Sequence, residues 1–171
     1  YYNKGNKYTN DLLKIGIDVT KSGEKDFLGK INVEKLMIPT IDFVSYKATF
    51  KELTEKLVTS LLGVLVVLDK NEVYSGIVSI NDVRQNLLTD NFTDLLIADD
   101  IKQKIPIIYM DEKVSKALKV IEKFNIDCIP VADRETNEIE GILTHQNITH
   151  AYYTHIEEWE ADQFLIDYDK K

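Results

Sequence analysis

One cysteine, three prolines, seven glycines and one tryptophan in 171 residues set several classes of protein aside. A lone Cys128 can neither close an intramolecular disulfide nor assemble a zinc cluster. A reactive thiol wants a histidine or cation beside it, and the run Cys128-Ile-Pro-Val131 offers none, so Cys128 reads as a buried small hydrophobe in a reducing, cytosol-facing setting. No apolar run approaches the ~20 residues that span a bilayer. The start, Tyr1-Tyr-Asn-Lys-Gly5, lacks both the apolar stretch of a signal peptide and an initiator methionine, which leads us to expect a fragment of a longer protein. Basic residues are also scarce: 21 Lys and Arg against 29 Asp and Glu give a net charge of −8, which argues against nucleic acid or an anionic membrane surface as a partner. GxSxG, HExxH, a Walker loop and GxGxxG are all missing, so no catalysis is expected.

What the chain does have is a duplication. Gly76–Val83 (GIVSINDV) and Gly141–Ile148 (GILTHQNI) repeat at an offset of 65, while Phe50–Leu53 with Val114–Ala117, and Val66–Asp69 with Pro130–Asp133, repeat at 64. The extra residue falls between Asp133 and Gly141, where a surface turn absorbs it cheaply. Each copy is about 60 residues long, too small to bury a comfortable core alone, so the copies are expected to pack on each other. Within each, hydrophobic periodicity spells β-α-β-β-α. The first runs Phe43–Tyr46, a helix with Phe50, Leu53, Leu57 and Leu61 on one face, Val64–Leu68, Gly76–Ile80, then a helix through Val83, Leu87 and Leu88. The second runs Ile107–Tyr109, a helix with Val114, Ala117, Leu118, Ile121 and Phe124, then Ile129–Ala132, Ile139–Leu143 and a helix from about Gln146 past Tyr153. A crossover helix implies parallel pairing and the short turn an antiparallel hairpin. The expected division is a polar linker or docking segment (1–30), repeat 1 (31–90), repeat 2 (91–156) and an acidic tail (157–171) carrying Trp159, Phe164 and Tyr168. The fold class is α/β (α+β).

The β-α-β-β-α order followed by Gly-aliphatic-x-Ser/Thr-x-x-Asp resembles the cystathionine-β-synthase (CBS) domain, whose tandem copies form a Bateman module; Val33-Glu-Lys-Leu-Met37 looks like the opening of a first repeat. Three shorter segments, Leu12–Asp18, Leu95–Ile101 and Asn147–Tyr152, look like the regions flanking and joining the CBS pair of ClC-family chloride channels and transporters. That resemblance implies a regulatory tail on the cytoplasmic face of a membrane, attached to a transmembrane chloride channel or transporter and homodimeric through the helices around Leu53–Leu61, Val83–Leu88, Val114–Phe124 and Ile148–Tyr153. It implies no required cofactor, with AMP, ADP or ATP as a regulatory ligand.

In CBS pairs that bind adenosine nucleotides, the motif aspartate holds the ribose hydroxyls and the hydroxyl residue contacts ribose or phosphate. The resemblance therefore nominates Ser79 and Asp82, and Thr144 and Asn147. A carboxylate accepts from two vicinal hydroxyls, and a helix N-terminus suits a phosphate. The same Ser79-x-x-Asp82 is equally a capping box. Asn147 in place of Asp loses the charge-assisted grip on a diol. The resemblance also implies an adenine pocket lined by the stretch before the second strand; position 66 is Val where the second copy has Pro130, which makes Ile126, Asp127, Ile129 and Pro130 better adenine-wall candidates than 62–66. Arg84 and Arg134 are the only arginines, which favours adenosine or a monophosphate over a triphosphate. His145, His150 and His155 step by five, about 140° of turn each, and so share no helix face for a metal. Two functions stay open: a ligand sensor that shifts an attached gate, and a dimerisation scaffold that binds nothing small.

Overall fold

The computed structural model describes residues 27–89 and 95–155. Leu12–Asp18, Trp159, Phe164 and Tyr168 lie outside them. A helical stretch at 27–30 and a 3-10 turn at Val33–Lys35 precede β1 (Asp42–Ser45), α1 (Phe50–Thr59), β2 (Val64–Leu68), β3 (Tyr74–Ser79) and α2 (Ile80–Thr89). A short α3 (Ala98–Ile101) leads into β4 (Ile108–Tyr109), α4 (Val114–Phe124), β5 (Cys128–Ala132), β6 (Ile139–Thr144) and α5, residues 145–155. The fold is mixed α/β with two three-stranded sheets, ordered β1-β2-β3 and β4-β5-β6. In the first, β1 pairs parallel with β2 and β2 antiparallel with β3, the arrangement that crossover and hairpin require.

Strand β2, Val-Leu-Val-Val-Leu, buries Leu65, Val66 and Val67 completely, as a strand covered on both faces does. Leu65, Val67 and Val78 meet Phe50, Leu53 and Leu57 of α1, with Val83 and Ala98 completing the cluster. Helix α1 starts on a capping box: the Thr49 hydroxyl accepts from the Glu52 N–H at 3.3 Å and Glu52 accepts from the Thr49 N–H at 2.7 Å. It ends at Thr59, before Leu61, because Ser60 turns to extended backbone (ψ 132°). Leu61 therefore leaves the helical face on which its spacing had placed it, and is 76% exposed.

The duplication is visible bond by bond. Asp69 closes the β2–β3 turn by accepting from Asn71 and Val73 at 2.8 and 3.0 Å, with Glu72 left-handed (φ 60°). Asp133 does the same for Glu135 and Thr136 at 2.7 and 2.9 Å, with Asn137 left-handed (φ 63°). The backbone closure is Asp69 to Val73 in one turn and Asp133 to Glu138 in the other, which locates the inserted residue in the second turn.

The segments leading into the repeats are exchanged. Val33 donates to the Glu112 carbonyl and Val114 to that of Ile31; the corresponding bonds of the other half run from Ala98 to Ala48 and from Phe50 to Leu96, all at 2.8–3.0 Å. Bridges follow the same correspondence: Asn32 with Lys113 and Ile97 with Thr49, Ile38 with Ile142 and Gln103 with Ile77. Each repeat's opening residues thus hydrogen-bond into the other repeat. By contact density the described residues group into two compact units, one of 27–37, 108–129 and 143–155, the other of 38–89, 95–107 and 130–142. The first buries Val33, Val114, Ala117, Ile121 and Tyr152, and Phe27 stacks on His155 at 3.8 Å between centroids and 4° between planes. The second contains the β1-β2-β3 sheet and its cluster.

Candidate functional site

Ser79 is the last residue of β3 and Asp82 lies in the first turn of α2. The Asp82 carboxylate accepts the Ser79 N–H at 2.7 Å and its hydroxyl at 2.6 Å on Oδ2, and the Ser79 hydroxyl accepts the Asp82 N–H at 3.3 Å. The capping pattern is therefore built in full. It does not stop there: the other oxygen, Oδ1, accepts from the Gln103 side-chain amide. Asp82 is 5% exposed and is the one charged residue in the buried class among the described residues. A buried carboxylate is tolerated only when hydrogen bonds replace its lost water, and here all three donors are neutral.

Gln103 is fixed at this position by its backbone. It exchanges two hydrogen bonds with Ile77, at 2.8 and 3.0 Å. A Cβ at Gly76 (φ 154°) would lie 2.7 Å from the Gln103 carbonyl oxygen, so the motif's leading glycine is required by this close approach. Lys102 alongside binds Ser75 and Asp99.

In the second copy Thr144 ends β6 and its hydroxyl donates to the Asn147 side-chain oxygen. The Asn147 N–H returns the bond at 3.1 Å. Residue 38 forms the bridge to Ile142 that Gln103 forms to Ile77, but as isoleucine it has no amide to offer.

The two helix starts are less open than the motif alone implies. The Ile80 N–H is taken by the Gly63 carbonyl at 3.0 Å and the His145 N–H by that of Asp127 at 2.9 Å. With the Asp82 and Asn147 N–H groups on hydroxyls, each helix start has two first-turn donors already committed. The adenine-wall candidates divide by burial: Ile126 is 9% exposed, Ile129 is fully buried, Pro130 is buried and Asp127 exposed. The structure brings Ser79 to Asp82, Thr144 to Asn147, and the Asp127 backbone to the residue after Thr144. Gln103 went unrecognised in the sequence, although it stands 65 residues after Ile38, a polar residue where the first copy has an aliphatic one.

Elsewhere, Cys128 is buried, and no trio of His, Cys, Asp or Glu among the described residues is placed to hold a metal. A groove of about 550 Å³ between β1 and α1 is lined by Lys47 and Lys56 together with Glu52 and Glu55, a balance that favours no charged ligand. No helix among the described residues is long and apolar enough to cross a membrane.

The CBS domain model matches residues 33–89 and again 97–154. The chain belongs to the CBS domain family, as a tandem pair. Homoserine O-acetyltransferases from Methanosarcina acetivorans and Methanococcus vannielii are 29% and 22% identical over 126 and 125 residues, 73% and 72% of this chain but only 22% and 25% of those proteins. The uncharacterized protein MJ1232 of Methanocaldococcus jannaschii is 26% identical over 118 residues, 69% of this chain and 38% of its own length. The chain therefore spans well under half of the curated relatives it matches. Among solved structures, the CBS domain pair of protein MJ0100 in complex with 5′-methylthioadenosine and S-adenosyl-L-methionine gives a TM-score of 0.64 at 18% identity, over 73% of this chain and 98% of that one. A CBS domain-containing protein of unknown function from Bacillus anthracis gives 0.65 at 22%, over 76% and 98%. At these identities the likeness establishes the fold.

Proposed function

We propose that this chain is the regulatory CBS pair of a larger protein and that it senses an adenosine-containing ligand through Ser79 and Asp82. The observation that carries this reading is a buried carboxylate in the motif of the first repeat, surrounded by neutral donors only. An acid used solely as a helix cap works at the surface, as Glu52 does, and gains nothing from burial. The adenosine compounds held by the CBS pair of MJ0100 support the ligand class. In this reading the chain performs no chemistry; Ser79 and Asp82 hold ribose, and Thr144 with Asn147 forms the weaker site. Thermal melts with AMP, ADP, ATP, 5′-methylthioadenosine and S-adenosylmethionine test it. A ligand at 100 times its dissociation constant stabilises by about 2.7 kcal/mol, a rise of roughly 5–10 °C for a chain of this size. No shift with any of them at millimolar concentration would leave the scaffold reading.

That second reading also has an observation of its own. Val58 of α1, Leu61 just beyond its end, and Leu87 and Leu88 of α2 are 74%, 76%, 56% and 86% exposed, on or beside helices through which we expect the chain to homodimerise. Leu88→Glu is expected to yield monomers in analytical ultracentrifugation, with the melting temperature of the folded chain little changed. For the attached protein, the curated relatives place such a pair in much longer chains. Leu12–Asp18 and Leu95–Ile101 keep a ClC-type chloride channel or transporter, with the pair on its cytoplasmic face, as the alternative. The gene upstream of Tyr1 decides: roughly ten apolar spans of ~20 residues support the channel, and their absence removes it.

A further inference from the structure

We propose that Gln103 is an internal competitor for the ribose-binding edge of Asp82, and that its displacement sets the affinity of the first site. The inference rests on the ligand reading above and goes beyond it by naming the residue that opposes binding. An ionised carboxylate has about four acceptor positions. Two of those on Asp82 are filled by the Ser79 N–H and hydroxyl, and a third by the Gln103 amide. One remains. A vicinal diol brings two hydroxyl donors and needs two acceptor positions, so a ribose cannot be held in full while the Gln103 amide stays.

Ser79 cannot give way instead. Its N–H and hydroxyl start helix α2, and the reciprocal bond from the Asp82 N–H ties the pair together. Gln103 can give way, since its residue is exposed and its side chain is free to rotate into water. Its backbone stays locked against Ile77, close over Gly76, where an added Cβ would lie 2.7 Å from the Gln103 carbonyl oxygen. The result is a donor on a fixed hinge. It keeps the buried acid satisfied when no ligand is present and is expelled when a diol arrives. The second repeat has no such device, because Ile38 occupies the corresponding position and cannot donate.

The test measures adenosine and 2′-deoxyadenosine binding to the 171-residue chain by titration calorimetry, for the wild type, Gln103→Met and Gln103→Ala. Removing the competitor is expected to tighten adenosine about tenfold, the equivalent of about 1.4 kcal/mol, and 2′-deoxyadenosine by less, since it presents one hydroxyl fewer. Two variants are used because methionine keeps the bulk and alanine removes it. The gain is expected to vanish in Asp82→Asn/Gln103→Met. Binding by the wild type that neither variant strengthens, or a gain that persists without the Asp82 carboxylate, would overturn this inference alone. Failure of the wild type and both variants to bind either nucleoside would overturn the sensor reading together with it.

Discussion

In the first repeat a buried Asp82 collects three neutral donors, from Ser79 and Gln103; in the second, Thr144 closes one side-chain bond onto a neutral Asn147 and the corresponding position holds Ile38. The backbone frames agree in detail, down to the carbonyls of Gly63 and Asp127 that bind the first N–H of α2 and α5. The copies therefore share a scaffold and differ in what that scaffold holds. A charged acceptor without a cation is costly to bury, and the first repeat meets that cost by recruiting an amide from the other repeat's opening segment. The second repeat has the neutral Asn147 at that position and buries no such charge. The first helices of the two repeats differ in the same way. Thr49 and Glu52 cap α1, whereas at the start of α4 Lys113 forms no cap and reaches the Lys30 carbonyl and Asn32, and Lys116 pairs with Glu112.

If the exchanged segment depends on the close approach at Gly76, Gly76→Ala gives the largest effect: a loss of about 3 kcal/mol in urea unfolding, from backbone strain plus disturbed bonds to Gln103. A loss under about 1 kcal/mol would mean that the Gln103 backbone yields easily, which would undo the fixed hinge. Next, Asp82→Ala is expected to cost about 2 kcal/mol and Asn147→Ala about 1, because the first strands both the N–H and the hydroxyl of Ser79 and the second only a hydroxyl. Equal losses would erase the distinction between the copies. Thr49→Ala should cost about 1 kcal/mol as a lost N-cap, while Lys113→Ala, which removes exposed hydrogen bonds to the Lys30 carbonyl and Asn32, should stay within about 0.5.

The smallest effect is one of pH. Glu52 lies below its ordinary value near 4.5 because the Thr49 N–H and hydroxyl both donate to it. Its folded-state affinity for a proton is thus reduced. The stability it contributes is complete above pH 4.5 and is lost as pH falls through the lower folded value. Glu52→Gln is expected to flatten the decline in urea midpoint between pH 6 and pH 3, and Lys119→Gln, at an exposed position of α4, to leave it unchanged. An identical acid slope in both variants would show that the α1 cap has no part in it.

Much of the architecture was readable in the chain because it depends on local chemistry. The two aliphatic runs ending in Asp69 and Asp133 marked strand and turn, since an aspartate that accepts from its own next few N–H groups closes a turn wherever it occurs. The change of repeat offset from 64 to 65 puts the one-residue insertion in the second hairpin turn, and the backbone closures put it there too. Leu61 misled because a helical spacing does not show where the helix stops; Ser60 ended it one turn earlier. Phe27 and Leu28 belong to the segment read as a linker or docking segment (1–30); Leu28 is buried and Phe27 stacks on His155, a pairing more than 120 residues apart that no local window contains.

The candidate site divides along the same line. Sequence alone determined that Ser79 with Asp82, and Thr144 with Asn147, would face each other across one helical turn, because residues three apart at a helix start are neighbours by geometry. Only the tertiary structure decided that Asp82 is buried, that Gln103 from 21 residues away reaches it, and that Gly76 is required for the backbone of that same residue. These follow from an exchange of opening segments between the repeats. Nothing in the sequence marks that exchange, because the hydrogen bonds that make it join main-chain groups, which every residue carries alike.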